Sequence, residues 1–351
     1  MSRRTAAGLL ALVLVIAMSA WASRMDVPYA TFAPGPTVNV LAKYDGKAII
    51  SVTGHESHRD KGGLDLTTVV PSLPREEISI PQLMFAWISP DQAVYPYEAI
   101  YPSSATRSSV KEESSAQMVS SQDNAVAAAL SVLKIPFTAA VKVAEVTKGG
   151  PADGRLKSGD LVLAVNDKKV RTVDQLTGMI RPLPIGSDIT VQVRRAGRDL
   201  EQKLRTVASP EDKNDSVVRV TIAPSYEFPF DVNLNIDQSI GGPSGGLMFA
   251  MGIYDVLTPG SLTDGATIAG TGEIDAKGKV GPIGGIQQKL VGAQDDGAKL
   301  FLVPADNCAE ALEGHYDPDK MRLVKVTTLE EGIADVQAWV KDPDAKLTRC
   351  T

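Results

Sequence analysis

Cysteine and histidine are scarce: two and three residues among 351. A structural zinc module needs four Cys or His ligands at close spacing. His55 and His58 stand three apart with no third ligand near them, so a metal pair there gives way to a solvated loop. No metal and no cofactor is expected. Positive charge is not in excess either. The net charge is −6 and the isoelectric point about 5.3, which excludes nucleic-acid binding through a broad basic face. The phosphate-cradling pattern G-x-x-x-x-G-K-[ST] is missing, so these residues encode no P-loop ATPase and ATP is not an expected partner. What is present is ordinary for globular protein: 43% hydrophobic and 22% charged residues, and length enough for two domains.

The chemistry concentrates between residues 229 and 293. Val232, Leu234 and Ile236 alternate with Asp231, Asn233 and Asn235, the period of a half-buried strand. Ile240-Gly241-Gly242-Pro243 breaks it, and an apolar helix-length stretch runs from Gly245 to about Leu257. Ser244 therefore sits at a strand-to-helix turn, where unpaired N–H groups and the positive dipole end gather. Backbone donors around Gly242, Pro243 and Gly245 could cradle an oxyanion beside a serine nucleophile. A plain N-cap serine in a glycine-rich turn fits the same local pattern. A nucleophilic serine needs a base. Lys289 shares a helix with Ile286, Leu290 and Ala293, so its flank is apolar. A lysine desolvated there would lose its charge near neutral pH; a lysine that snorkels to solvent would not.

Three motifs in register, GGPSGGLMFA, TGEI and GKVGPIGGIQQKLVGA, resemble the proteolytic domain of the Lon proteases over roughly residues 217–341. The resemblance implies a Ser–Lys dyad, with Ser244 as nucleophile, Lys289 as general base and Thr271 orienting the lysine. Gly241 stands where Lon enzymes that carry an ATPase often have aspartate. The strand LDLTTV and a helix from about Ser115 to Lys134 resemble the opening of such a domain, so residues 25–134, including a Ser-rich linker at 103–115, are expected to belong to it. In that helix Val119, Val126, Leu130 and Leu133 are the expected buried face.

Between the two parts, residues 135–209 resemble the PDZ domains of bacterial envelope proteases, above all through GGPADGRLKSGDLVLAVN. Such domains bind an extended peptide as an added strand. The matching groove is expected between an edge strand holding Ala139, Ala140 and Val141 and a helix holding Leu176 and Ile180. IPFT at 135–138 takes the place of the glycine-containing carboxylate loop. A module that merely spaces the protease from the membrane is the plainer alternative. A polar linker, 210–216, leads back to the protease part, and 342–351 form a tail.

Arg3 and Arg4 precede an uncharged run at 6–22, seventeen residues (22 − 6 + 1), at the short limit for a membrane span of about 17–25. Ala20-Trp21-Ala22 would suit signal cleavage. An uncleaved anchor over 1–24 is what the resemblance favours. Either way the body lies outside the cytoplasm: a single-pass cell-membrane protein, or a secreted one. In that compartment Cys308 and Cys350 invite a disulfide. The expected fold is α+β: a Lon-type domain, ribosomal protein S5 domain 2-like, with a β-rich PDZ domain behind one transmembrane helix. The expected function is an ATP-independent serine endopeptidase acting on membrane or envelope protein segments, and the resemblance adds assembly of copies, commonly hexamers.

Two readings compete. Gly242-Pro243-Ser244-Gly245-Gly246 also satisfies G-x-S-x-G, the nucleophile elbow of α/β-hydrolases, with His315 to complete a triad. That leaves TGEI and GPIGGIQQK without a role. An inactive membrane-tethered PDZ scaffold would have no use for Ser244, Thr271 and Lys289 together.

Overall fold

The computed structural model describes residues 2–350 apart from 23, 24, 26, 60, 77, 211, 238 and 239. The expected end of the membrane segment at 24, residue 211 of the polar linker and the last residue of the tail lie outside the described residues. In chain order the structure has helix α1 (Arg3–Ala22), strands β1 (Tyr29–Asn39), β2 (Ile50–Thr53) and β3 (Gly63–Pro71), helix α2 (Ile80–Ile88), strand β4 (Ala93–Pro96) and helix α3 (Arg107–Val132). Then come β5 (Thr138–Val146), β6 (Leu161–Val165), α4 (Val173–Ile180), β7 (Asp188–Arg195), β8 (Arg198–Arg205) and β9 (Val220–Glu227). The last third holds β10 (Asp231–Leu234), α5 (Gly246–Leu257), β11 (Thr267–Gly270), α6 (Ile286–Asp295), β12 (Leu300–Pro304), α7 (Cys308–Leu312), β13 (Arg322–Val326) and α8 (Leu329–Lys341).

None of α1 is buried, and its length and composition suit a membrane span. A mixed sheet follows, in the order β13-β12-β11-β3-β1-β4. Its β11, β12, β13 and β3 run parallel, while β1 is antiparallel to both β3 and β4. Residues 28–36, with Pro28, Pro34 and Pro36, read as a stiff extended exit; the structure makes 29–39 the strand β1. Proline cannot donate to a ladder, and a register shift between Pro34 and Thr37 takes up both prolines. The helices α3 and α5 pack on one face of this sheet. Their core joins Leu64, Leu66, Met118 and Leu130 from the first part of the chain to Leu247, Phe249, Met251 and Val336 from the last.

A second sheet, β8-β7-β6-β5-β9, is antiparallel and has its own core around Val141, Val162, Leu176, Ile180, Val191 and Val218. Residues 138–227 thus form a unit inserted between two halves that share the first core. The expected restart of the protease part at 217 is too early. Val217 pairs with Val207, and β9 completes the inserted sheet, so the chain returns to the first core only after Glu227.

The helix expected at 115–134 starts earlier. Thr106 caps it by accepting from the Ser109 amide, and residues 107–115, expected to be a mobile Ser-rich linker, are helical. Val119 is exposed, not buried; the inward face is Met118, Ser121, Ala125 and Val126.

Candidate active site

Three segments meet at one end of α5. The first is the turn 240–245. Gly242 holds φ +84°, which L side chains rarely adopt, and this brings the chain sharply into the helix. The α3 helix fixes the turn at two points. The Gly242 amide donates to the Ser114 carbonyl (3.0 Å), and the Ser121 hydroxyl donates to the Pro243 carbonyl (2.9 Å). The second segment follows β11: the Gly272 amide and the Thr271 hydroxyl both donate to the Ser244 carbonyl, at 2.8 and 3.0 Å. The third is α6, which starts from Gly285 in the left-handed region at φ +69°. A Cβ there would lie 2.8 Å from Val69, so glycine is required twice over. The first turn of α6 carries Lys289 inward.

Lys289 is 2% exposed and Thr271 fully buried. The Lys289 amine donates to the Ser244 hydroxyl oxygen at 2.7 Å and to the Thr271 hydroxyl oxygen at 2.9 Å. Among the described residues no carboxylate pairs with it, and desolvation pushes the Lys289 pKa down to about 7. The snorkelling arrangement is excluded: the amine points into protein, not solvent. A cavity of about 380 Å³ opens beside the pair, walled by Leu66, Thr68, Val70, Met118, Ile240 and Glu273.

The expected cradle needs correction. The Gly242 amide is already taken by Ser114, and Pro243 has no N–H. Among the described residues no acceptor meets the amides of Ser244 and Gly245, and both residues line the cavity. Those two amides are the available donors. Gly241 is small for a local reason: a Cβ there would lie 2.2 Å from the Ser114 hydroxyl. Ser114 and Ser121 escaped the sequence reading. The signal for Ser121 was its helical spacing with Met118 and Ala125, the inward face of α3.

His315 takes no part in this cluster. It is mostly exposed, pairs with Asp91 at 2.8 Å and does not line the cavity, so it cannot complete a triad with Ser244. His55 lies on the surface, hydrogen-bonded to the Glu56 carbonyl and stacked near Phe230. Cys308 and Cys350 form a disulfide that ties the tail to α7.

The groove of the inserted domain lies elsewhere than expected. The edge at Ala139, Ala140 and Val141 is closed, because β9 pairs antiparallel along all of β5, from Glu227 against Thr138 to Val220 against Val146. Leu176 and Ile180 do line a groove of about 610 Å³, but its other wall is the chain at 215–222, including Val218, Val220 and Ile222. β9 is the last strand of its sheet, so its outer edge is the open one. At the groove's end Arg219 sits in the left-handed region at φ +54°. Among the described residues the amides of Val218 and Arg219 meet no acceptor. The IPFT segment is not a carboxylate loop. Ile135 and Phe137 pack on the first core, and Phe137 sits against Tyr226 and Phe228.

Comparison with known families gives two matches. Residues 238–336 match the Lon protease (S16) C-terminal proteolytic domain, and residues 112–206 match the PDZ domain. Among curated relatives, Lon protease 2 of Bacillus subtilis is 27% identical over 190 residues, 53% of this chain and 31% of that protein. The Lon protease of Campylobacter jejuni is 35% identical over 120 residues, 32% of this chain and 15% of that protein. The chain therefore spans a third or less of the length of these relatives. Solved structures that resemble part of it include the PDZ domain of an SdrC-like protein from Listeria monocytogenes, 15% identical, covering 24% of this chain and 86% of that one, with a TM-score of 0.22. A Geobacillus thermodenitrificans protein is 28% identical, covering 23% of this chain and 94% of that one, also with a TM-score of 0.22.

Proposed function

We propose that this chain, which carries a Lon-type proteolytic domain together with a PDZ domain, is a serine endopeptidase with a Ser244–Lys289 dyad. The observation that carries this reading is a buried lysine amine 2.7 Å from a serine hydroxyl. Its pKa, near 7, keeps a useful fraction neutral at physiological pH. In the neutral state the hydrogen bond reverses: the Ser244 hydroxyl donates to the amine. Lys289 takes that proton as the Ser244 oxygen attacks a peptide carbonyl. The Ser244 and Gly245 amides stabilise the oxyanion. The ammonium then protonates the leaving amine, and the neutral Lys289 activates the water that cleaves the acyl-enzyme. Thr271 holds the amine against Ser244 throughout.

The PDZ domain supplies substrate. A peptide adds antiparallel to the outer edge of β9, against Leu176 and Ile180 of α4, and the Val218 and Arg219 amides receive a terminal carboxylate. Only three residues separate β9 from β10, which leads toward Ser244. The helix α1 anchors the chain, with its body outside the cytoplasm. Without a P-loop among these residues, catalysis uses no ATP of its own, so flexible segments of membrane or envelope proteins are the fitting substrates.

Cleavage of an unstructured peptide by the purified chain tests the reading, with Ser244→Ala and Lys289→Ala as controls. Activity in wild type and its loss in both folded variants is the expected result. Cleavage that persists in Lys289→Ala would sink the dyad.

A further inference from the structure

The helix α2 is out of character for a surface element bathed in water. Its sequence, IPQLMFAWI, has no charged residue, and only Ala86 is buried. Met84, Phe85, Trp87 and Ile88 are 53%, 69%, 79% and 73% exposed. At about 100° per residue these four fall within one side of the helix, opposite Ala86 and Gln82. Soluble monomers rarely leave such a patch uncovered. The helix is also well formed: Ser79 and Gln82 make a reciprocal cap, so the exposed face is presented on a fixed element.

Its position identifies what covers it. The Val27 amide donates to the Ile78 carbonyl at 3.1 Å, two residues before α2 begins. Val27 lies five residues beyond Ala22, the end of α1, a distance that a chain spans with at most about 18 Å. A second bond, from the Tyr97 amide to the Pro28 carbonyl at 2.9 Å, fastens the same exit segment from the other side. If α1 crosses a bilayer, α2 is held at that bilayer's surface. Uncharged, aromatic-rich residues are those that settle at a headgroup boundary.

We propose that α2 is a second membrane contact, lying in the interfacial layer with Met84, Phe85, Trp87 and Ile88 among the upper acyl chains. The proposal rests on the reading of α1 as an anchor. A cavity of about 760 Å³ under α2 is lined by Val70, Leu73, Pro81 and Phe85. Val70 also lines the cavity beside Ser244, so the two cavities adjoin at that residue. With α2 seated, the cleft opens beside the bilayer, and the substrates within reach are segments that emerge from it.

The three tryptophans, Trp21, Trp87 and Trp339, allow a direct test. The full chain is reconstituted into phosphatidylcholine–phosphatidylglycerol vesicles that contain lipid brominated just below the headgroup. A Trp21→Phe/Trp339→Phe variant reports on Trp87; a Trp87→Phe/Trp339→Phe variant reports on Trp21. Because interfacial helices bury about 5–10 Å deep, Trp87 should lose roughly half its emission. Quenching of Trp21 without quenching of Trp87 overturns the proposal and leaves the anchor intact. Quenching of neither removes the anchor and the proposal with it. A concentration-dependent blue shift of Trp87 in lipid-free detergent would assign the face to a second copy instead, and also overturns it.

Discussion

The two clefts of this molecule are built on opposite terms. Beside Ser244 nearly every polar group has a partner within the fold: Thr271 and Gly272 hold the Ser244 carbonyl, Ser121 holds that of Pro243, and Ser114 holds the Gly242 amide. What is left over among the described residues is small and specific, a lysine without a counter-ion and the amides of Ser244 and Gly245. In the inserted domain the groove between α4 and β9 is larger, about 610 against 380 Å³, and is bordered by an open strand edge. On the proposed reading the first is pre-organised for one reaction, and the second has a strand edge left open for a peptide to complete. Pre-organisation has a cost in stability that an open groove does not have, and the buried amine of Lys289 is where that cost is concentrated.

The comparison can be broken most severely at the dyad. Ser244→Ala or Lys289→Ala should lower kcat by about a thousandfold or more in a peptide assay, while peptide binding to the inserted domain stays as it was. Loss of both together would mean the two clefts are not separable. Next in size is stability. The folded-state pKa of Lys289, about 7, lies below its ordinary 10.5, so the unfolded chain binds more protons between those values. Stability should therefore rise with pH from about 7 to 10.5 and be flat below 7. Lys289→Met should remove that slope and stabilise the fold at pH 7 by a few kcal/mol, at most about 5, in denaturant titrations. An equal slope in the variant would mean that another group carries it.

A change in the open groove should act only there. Ile180→Asp places a charge among Leu176, Val218 and Ile222 and should weaken peptide binding about tenfold or more by calorimetry. Turnover of a short peptide that bypasses the groove should not change. The mildest break is Ser121→Ala, which removes one hydrogen bond, worth about 1 kcal/mol, from the nucleophile turn. A fall in kcat of roughly fivefold at constant KM, restored by Ser121→Thr, is the signature of a positioning role. A fall in Tm alone would make Ser121 structural.

The same contrast explains what the sequence made legible. Ser244, Thr271 and Lys289 each lie in a short motif, and it was the resemblance of those motifs to the Lon proteolytic domain that pointed to a Ser–Lys pair; local pattern alone left an N-cap serine and a solvent-facing lysine open. The inserted unit was expected from the resemblance of residues 135–209 to PDZ domains, and the structure gives that region a core of its own. The groove was misplaced because its walls come from α4 and from 215–222, joined by no motif. β9 has mixed polarity, VTIAPSYE, and nothing in it states that it pairs with β5 rather than with the protease sheet. Gly242 was misassigned to the cradle for a related reason: its amide is taken by Ser114, more than a hundred residues away in sequence. The Ser-rich start of α3 has weak helix propensity, and the Thr106 cap together with packing at Met118 decides it.

The central claim is that burial leaves Lys289 neutral near pH 7 and in contact with Ser244. The rate at which a serine-directed phosphonate labels Ser244, followed across pH, tests it most directly. The rate should climb to a plateau with a midpoint near 7 and be lost in Lys289→Met. A flat profile, or labelling of Lys289→Met at the wild-type rate, would contradict it.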